Sequence, residues 1–317
     1  MWTMNARVLA GVLFLCLSAC ATPPQTRLLL ATSPENLPRH AELTGVPFIA
    51  QDAFQCGPAS LAMALNTANF SVTPDTLKPE LYLPEQHGSL QVEMLAAARR
   101  HGATAYQLAP DLTAVLREVA DGTPVIVLQN LAFNWYPVWH YAVVVGYDLN
   151  EAEIILRSGP EQRQLLPMRT FEYTWARGEY WAMTVLPPGK IAVTAEPTNF
   201  IAAISALEKV SGADAVKNTY RAALIRWPDN LSAQIALGNN AYRLHDLNAA
   251  ETAFRQAAQT HPDSVAALNN LAQVLADQAR YAEALSVAQH AVDLGGTLVP
   301  LAQKTLADIE NKLQKSR

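Results

Sequence analysis

The feature that most constrains this chain is a repeat with a period of 34 residues in its C-terminal part. Pro228-Asp229 and Pro262-Asp263 stand 34 residues apart, and the segments behind them align. "LSAQIALGNNAYRLHDLNAAETAFRQAAQTHP" carries Leu237, Gly238, Ala250, Phe254 and Ala257. "VAALNNLAQVLADQARYAEALSVAQHAVDLG" carries Leu271, Ala272, Ala284, Ala288 and Ala291 at the same offsets. A unit of this length holds two helices and a turn, with small residues where the paired helices must approach closely. One such unit has no way to bury its apolar face alone, so the pattern demands a stack. A looser unit precedes these two, with Tyr220, Ala223 and Pro228 in phase, making about three. The final "GTLVPLAQKTLADIENKLQKSR" reads as a polar capping helix.

The repeat resembles the tetratricopeptide repeat, and this resemblance implies an all-α solenoid over 199–317 that binds a protein partner through a concave face. The competing reading is that three short units only brace the domain before them.

Upstream the composition changes. "VLPPGKIAVTAEPTNF" (185–200) separates a mixed helix and strand pattern from the all-helical region, and residues 189–198 read as the linker. Helices are expected from Pro58 to about Asn69, over Leu90–His101 with Ser89 as N-cap and Gly102 as stop, and over Leu112–Ala120. "TPVIVLQN" suits a buried strand, "WHYAVVVGYD" and "AEIILRS" suit a hairpin around "DLNE", and "YWAMTVL" closes the sheet. Helices first and an antiparallel sheet after them make residues 43–188 an α+β domain. At 317 residues the chain has room for both domains. With a net charge of −5 and no basic cluster, nothing favours nucleic acid as a partner.

The N-terminus reads as a targeting segment. "MWTMNARVLAGVLFLCLSAC" has one cation, Arg7, then an apolar run from Val8 to Leu17 that is too short to span a bilayer as a helix. Small residues before Cys20 resemble the bacterial lipoprotein signal, which implies removal of residues 1–19 and lipidation of Cys20. The competing reading is an ordinary secretory signal cut elsewhere. Ala21 rather than Asp follows the cysteine, which on the Gram-negative pattern implies the outer membrane with the domains facing the periplasm. Residues 20–42, rich in Pro and Thr, are expected to form a tether.

Cysteine arithmetic follows from this. Cys16 leaves with the signal and Cys20 carries lipid, so Cys56 is the only thiol left. An oxidising compartment promotes disulfides, yet Cys56 has no intrachain partner, and a four-cysteine zinc site is excluded. No metal or cofactor is expected. Within "QDAFQCGPASLAMAL", Pro58 is suited to the first turn of a helix and places Cys56 at its N-terminus. Unpaired N–H groups and the helix dipole there are expected to lower the thiol pKa. An inert core cysteine is the bland alternative.

Of the four histidines between the signal and the linker, His40 lies in the expected tether, His87 in a loop and His101 at a helix end. His140 opens the strand "HYAVVVGYD" behind an aromatic loop, where a side chain is held rigidly and still reaches a cleft. If the hairpin turns near Leu149-Asn150, the residue facing His140 lies around Ser158 to Gly159. Asp148 sits about 26 Å away at roughly 3.3 Å per residue, a poor orienter. A Cys56–His140 pair with Ser158 or a backbone carbonyl orienting the ring is therefore expected.

These residues carry a second resemblance. "QDAFQCGPASLAMAL" followed by "WHYAVVVGYD" resembles the bacteriocin-processing, papain-like cysteine peptidases that cut after double-glycine leaders, over about Val46 to Leu186, and most resembles the members that stand alone without a transporter. The resemblance implies Cys56 as nucleophile, His140 as general base and acid, and an upstream glutamine as oxyanion donor. Gln51 is the match and Gln55 the second candidate. Where the family shows Asp-Pro, this chain has "RSGP", so Ser158 takes the acidic residue's place. A lipoprotein thiol peptidase is thus expected, acting on a peptide or protein. The alternatives are a non-catalytic peptide-binding adaptor and an amidase or acyltransferase using the same pair.

Overall fold

The computed structural model describes residues 22–32, 34–50, 55–86 and 88–316. The chain divides into two compact units. The first comprises residues 1–67, 71–90 and 107–184; the second comprises 68–70, 91–106 and 185–317.

The first unit is built on an antiparallel sheet. β3 (Val125–Asn130) and β4 (Trp139–Asp148) pair along their length, from Val125 opposite Val144 to Asn130 opposite Trp139. β5 (Glu153–Ser158) returns along the other edge of β4, β6 (Glu161–Pro167) follows on β5, and β7 (Ala182–Leu186) flanks β3. The order is β7-β3-β4-β5-β6. Every residue of β3 is buried, as is β4 from Tyr141 to Tyr147, which is why both read as near-continuous apolar runs rather than alternating ones. A bulge at Val144–Gly146 shifts the register of β4 against β5.

α2 (Cys56–Thr67) packs on this sheet and is buried from Gly57 to Leu65 without a break. A helix apolar all round belongs inside, and this one anchors the cysteine at its start. It begins two residues before the expected start, so Pro58 falls inside the first turn, where a missing N–H is still harmless. α5 (Leu112–Ala120) runs over the expected span, capped by Asp111, whose carboxylate accepts from the N–H groups of Thr113 and Ala114. α3 (Pro74–Leu81), capped by Thr73, and α6 (Met168–Ala176) complete the unit.

The described residues between 24 and 42 include a helix and a strand rather than forming an extended tether. α1 (Pro24–Thr32) presents the N–H groups of Gln25 and Thr26 to the Glu172 carboxylate at 2.9 and 2.5 Å. Gln25 Oε1 also accepts from Leu112 N at 2.6 Å, tying α1 to the start of α5. β1 (His40–Glu42) pairs with the end of β4, His40 opposite Asp148 and Glu42 opposite Gly146. A Cβ on Gly146 would sit 2.7 Å from the Ala41 carbonyl oxygen, so glycine is what lets the two strands close up.

The second unit contains α4 (Gln91–Arg100), β2 (Thr104–Gln107) and seven helices in succession. These are α7 (Pro197–Ser211), α8 (Ala213–Arg226), α9 (Leu231–Arg243), α10 (Leu247–Thr260), α11 (Val265–Asp277), α12 (Tyr281–Asp293) and α13 (Val299–Ser316). The region is consistent with a solenoid, and its backbone repeats with the sequence. Trp227 and His261, 34 residues apart, end α8 and α10 with φ of −132° each and ψ of 73° and 72°. His245 and Ala279, again 34 apart, turn α9 into α10 and α11 into α12 at φ 58° and 60°. Gly238 faces the Phe254 ring, where a Cβ would come within 2.4 Å, which explains the small residue at that offset.

Candidate active site

The site grows from the contact between α2 and β4. Cys56 is the first residue of α2 and a free thiol. One turn later and on the same face, Ser60 donates from Oγ to the Tyr141 carbonyl at 3.3 Å. The Tyr141 N–H lies against the Cys56 sulfur. Both main-chain groups of Tyr141 thus engage one face of α2, and the nucleophile candidate is fixed beside the residue that follows His140. Tyr141 is itself held by its hydroxyl, which donates to Ser89 O at 3.1 Å, and by an edge-on contact with Trp181 at 5.7 Å.

His140 sits opposite buried Gln129 of β3, whose Nε2 donates to Thr174 Oγ1 at 2.5 Å. Its Nε2 is 2.9 Å from Ser158 Oγ, in hydrogen-bond contact. Ser158 ends β5 and is 9% exposed, so the serine side of this contact is buried while His140 is half-buried. The hairpin register therefore brings together the two residues expected to meet. Asp148 belongs to the turn: its Oδ1 accepts from Asn150 N and Glu151 N at 2.7 and 3.2 Å, and its Oδ2 lies 3.4 Å from His40 Nδ1.

The electrostatics differ from expectation at Cys56. Burial pushes the thiol above its ordinary value of 9.0, against the pull of the N–H groups of Tyr141, Gly57 and Cys56 itself. Desolvation of the thiolate outweighs the helix end, so the lowered pKa expected at a helix N-terminus does not occur. Burial likewise pulls His140 below 6.5. Both shifts favour the uncharged forms, a thiol and a neutral imidazole, over a thiolate–imidazolium ion pair.

Gln51 and Cys20 lie outside the described residues, as does His87. Gln55 is described: its carbonyl accepts from Ala59 N at 3.0 Å, opening α2. Nothing in the sequence singles out Tyr141, Ser60 or Gln129. The first two act partly through main-chain groups that every residue carries, and only the pairing reveals them. Among the described residues no cluster of three or more His, Cys, Asp or Glu is placed to hold a metal ion.

A thiol at the first turn of a buried helix, set against an antiparallel sheet that carries a histidine, gives the first unit a papain-like α+β fold. Residues 43–183 match the family model described as Peptidase_C39 like family, which supports a cysteine-peptidase type of function. Among solved structures, a putative C39-like peptidase from Bacillus anthracis is similar at 19% identity, over 48% of this chain and 100% of that one, with a TM-score of 0.41. The peptidase domain of Streptococcus ComA, a bifunctional ABC transporter involved in a quorum-sensing pathway, is similar at 20% identity, over 45% of this chain and 98% of that one, with a TM-score of 0.37. No curated protein matches.

Proposed function

We propose that the protein is an envelope lipoprotein that hydrolyses peptide bonds through Cys56 and His140, and whose tetratricopeptide-like repeats bind a partner or the substrate. The observation that carries the reading is the His140–Ser158 contact, because it occupies Nε2 and leaves Nδ1 as the ring nitrogen free to take a proton. In the reaction His140 Nδ1 accepts the Cys56 thiol proton and the thiolate attacks the scissile carbonyl carbon. The Cys56 N–H and the Gln51 side-chain amide donate to the oxyanion. His140 then protonates the leaving amine, giving a thioester. Water, activated by the same imidazole, attacks the thioester, releases the acid and restores the thiol. Through each step Ser158 Oγ accepts from Nε2–H and holds the ring in place. The leaders of this family make a small residue such as Gly the expected one before the cut.

Lipidation of Cys20 would hold the chain at the outer membrane, facing the periplasm. No helix of the described residues is long and apolar enough to cross a membrane. A non-catalytic peptide-binding adaptor is the second reading, favoured by the neutral hydroxyl that stands where a carboxylate would orient His140. Purified protein incubated with a peptide library separates the two. Cleavage that is lost in both Cys56→Ala and His140→Ala supports the peptidase; cleavage that persists in either variant refutes it, and binding without cleavage supports the adaptor.

A further inference from the structure

The segment Leu131–Trp139, the loop between β3 and β4 together with the first residue of β4, is unlike the rest of the first unit's surface. Its nine residues carry no charge. Among the described residues of that unit, eleven large apolar side chains are exposed, and six belong to this segment: Leu131, Phe133, Trp135, Tyr136, Val138 and Trp139. Trp135 is 81% exposed, Tyr136 67% and Phe133 63%. The segment is not loosely held. It continues the β3–β4 hairpin, with Leu131 N donating to Val138 O at 2.9 Å and Phe133 bridged to Tyr136. Asn130 Oδ1 accepts from Ala132 N and Val138 N, both at 3.0 Å, and Arg177 Nε donates to Asn130 O at 3.1 Å. Phe133 and Trp135 stack at 5.6 Å. A fixed hairpin tip that displays aromatic rings to water needs a partner that accepts them.

The path of the chain says which partner. Gln25 is fastened to the body by three hydrogen bonds, its N–H on Glu172, its Oε1 to Leu112 N and its Nε2 to Pro110 O. It lies five positions after Cys20, a reach of at most about 18 Å when fully extended. On the reading of Cys20 as lipidated, on which this inference rests, the first unit is held close against the membrane. Leu28 and Leu30 of α1, within ten residues of Cys20, are exposed as well. Trp and Tyr are the side chains that favour the bilayer interface, with an apolar body and a polar edge.

We propose that Leu131–Trp139 is a membrane-interface contact, with the rings of Phe133, Trp135 and Tyr136 seated in the lipid headgroup layer. His140 directly follows this segment, so the contact sets the mouth of the Cys56–His140 cleft at the bilayer surface. Substrates are then chains presented at or near the membrane. The contact is apolar, so salt leaves it unchanged.

The test uses the full-length protein purified from membranes and placed in phosphatidylethanolamine and phosphatidylglycerol vesicles containing lipids with brominated acyl chains, which quench nearby tryptophan. Trp175 and Trp181 are buried and Trp227 is half-buried against Phe200, so quenching reports chiefly on the exposed Trp135 and Trp139. Quenching of the wild type that falls by half or more in Trp135→Phe supports the proposal. Equal quenching in the two proteins, or none in the wild type, overturns it. A Trp135→Ser, Tyr136→Ser variant that raises KM for a soluble peptide several-fold, without any lipid quenching in the wild type, makes the segment a peptide-binding surface and also overturns it. Acylation of Cys20 is read separately by intact mass. An unacylated Cys20 overturns the lipoprotein reading and absent quenching overturns the contact, so the two failures are told apart.

Discussion

Replacing Ser158 tests the site where the chain departs most from a carboxylate-assisted histidine. Ser158→Ala removes one neutral hydrogen bond of 2.9 Å to His140 Nε2. Such a bond contributes about 0.5–1.5 kcal/mol, so any rate that depends on ring orientation falls about 2- to 13-fold. Ser158→Asp acts in the opposite sense. A carboxylate at this position, in contact with the ring, favours imidazolium and raises the His140 pKa, against the burial that now holds it below 6.5. The assay is the NMR titration of His140, assigned with His140→Gln, alongside the pH dependence of Cys56 alkylation by iodoacetamide. The wild type titrates below 6.5, and Ser158→Asp is expected to titrate above the wild type. In Ser158→Asp the imidazolium also assists the thiolate, so alkylation begins at lower pH than in the wild type. If all three proteins share one His140 midpoint and one alkylation profile, Ser158 does not touch the ring in solution and the reasoning fails.

Other expectations follow from the same structure. His140 titrates below 6.5 when folded, so stability is full above that pH and is lost as pH falls through the folded value; Cys56 titrates above 9.0 when folded, so stability is lost as pH rises past 9.0. Denaturant midpoints of the first unit should therefore be highest between these limits, and a midpoint that climbs below pH 6.5 would contradict the burial argument. Ser60→Ala should cost about 1 kcal/mol in urea unfolding, with a slower Cys56 acylation as α2 loosens from Tyr141; unchanged values in both would show the Ser60 bond to be idle. Gly238→Ala forces a methyl to within 2.4 Å of the Phe254 ring. A loss of about 1–3 kcal/mol is expected in calorimetry, largely recovered by adding Phe254→Leu. In the second unit, hydrogen bonds from Arg255 and then Arg280 hold the Glu251 carboxyl at about 2, below its ordinary 4.5. Stability from this group is present above 4.5 and lost as pH falls toward 2. The arginines are 38% and 42% exposed, so solvent screening leaves on the order of 1 kcal/mol, which Glu251→Gln should remove.

What the sequence disclosed, and what it withheld, has physical reasons. β3, β4 and α2 were legible because burial on all sides writes itself as unbroken apolar runs, and the β4–β5 turn put Ser158 near His140 by register alone. β6 was missed because it is an exposed strand, "EQRQLLP", whose charged side chains carry no core-facing signal. Residues 20–42 read as a tether because a segment rich in Pro and Thr resembles one, while the partners that order it, Glu172 and Leu112 for α1 and β4 for β1, lie far away in sequence. The cysteine's position was legible; its pKa was not. A helix start favours thiolate and deep packing disfavours it, and only the folded contacts show how far water is excluded. The seating of Cys56 on the Tyr141 amide was hidden for a simpler reason, since main-chain donors leave no mark in a sequence.

The central claim is that Cys56 is a nucleophile served by His140. It is tested most directly by intact mass spectrometry of the protein incubated with a peptide bearing a thiol-trapping electrophile in place of the scissile bond. One adduct on Cys56 is expected in the wild type, none in Cys56→Ala, and a rate reduced at least about 100-fold, the lower end of general-base assistance, in His140→Ala. An adduct that forms equally fast without His140, or no adduct at Cys56 at all, would contradict the account.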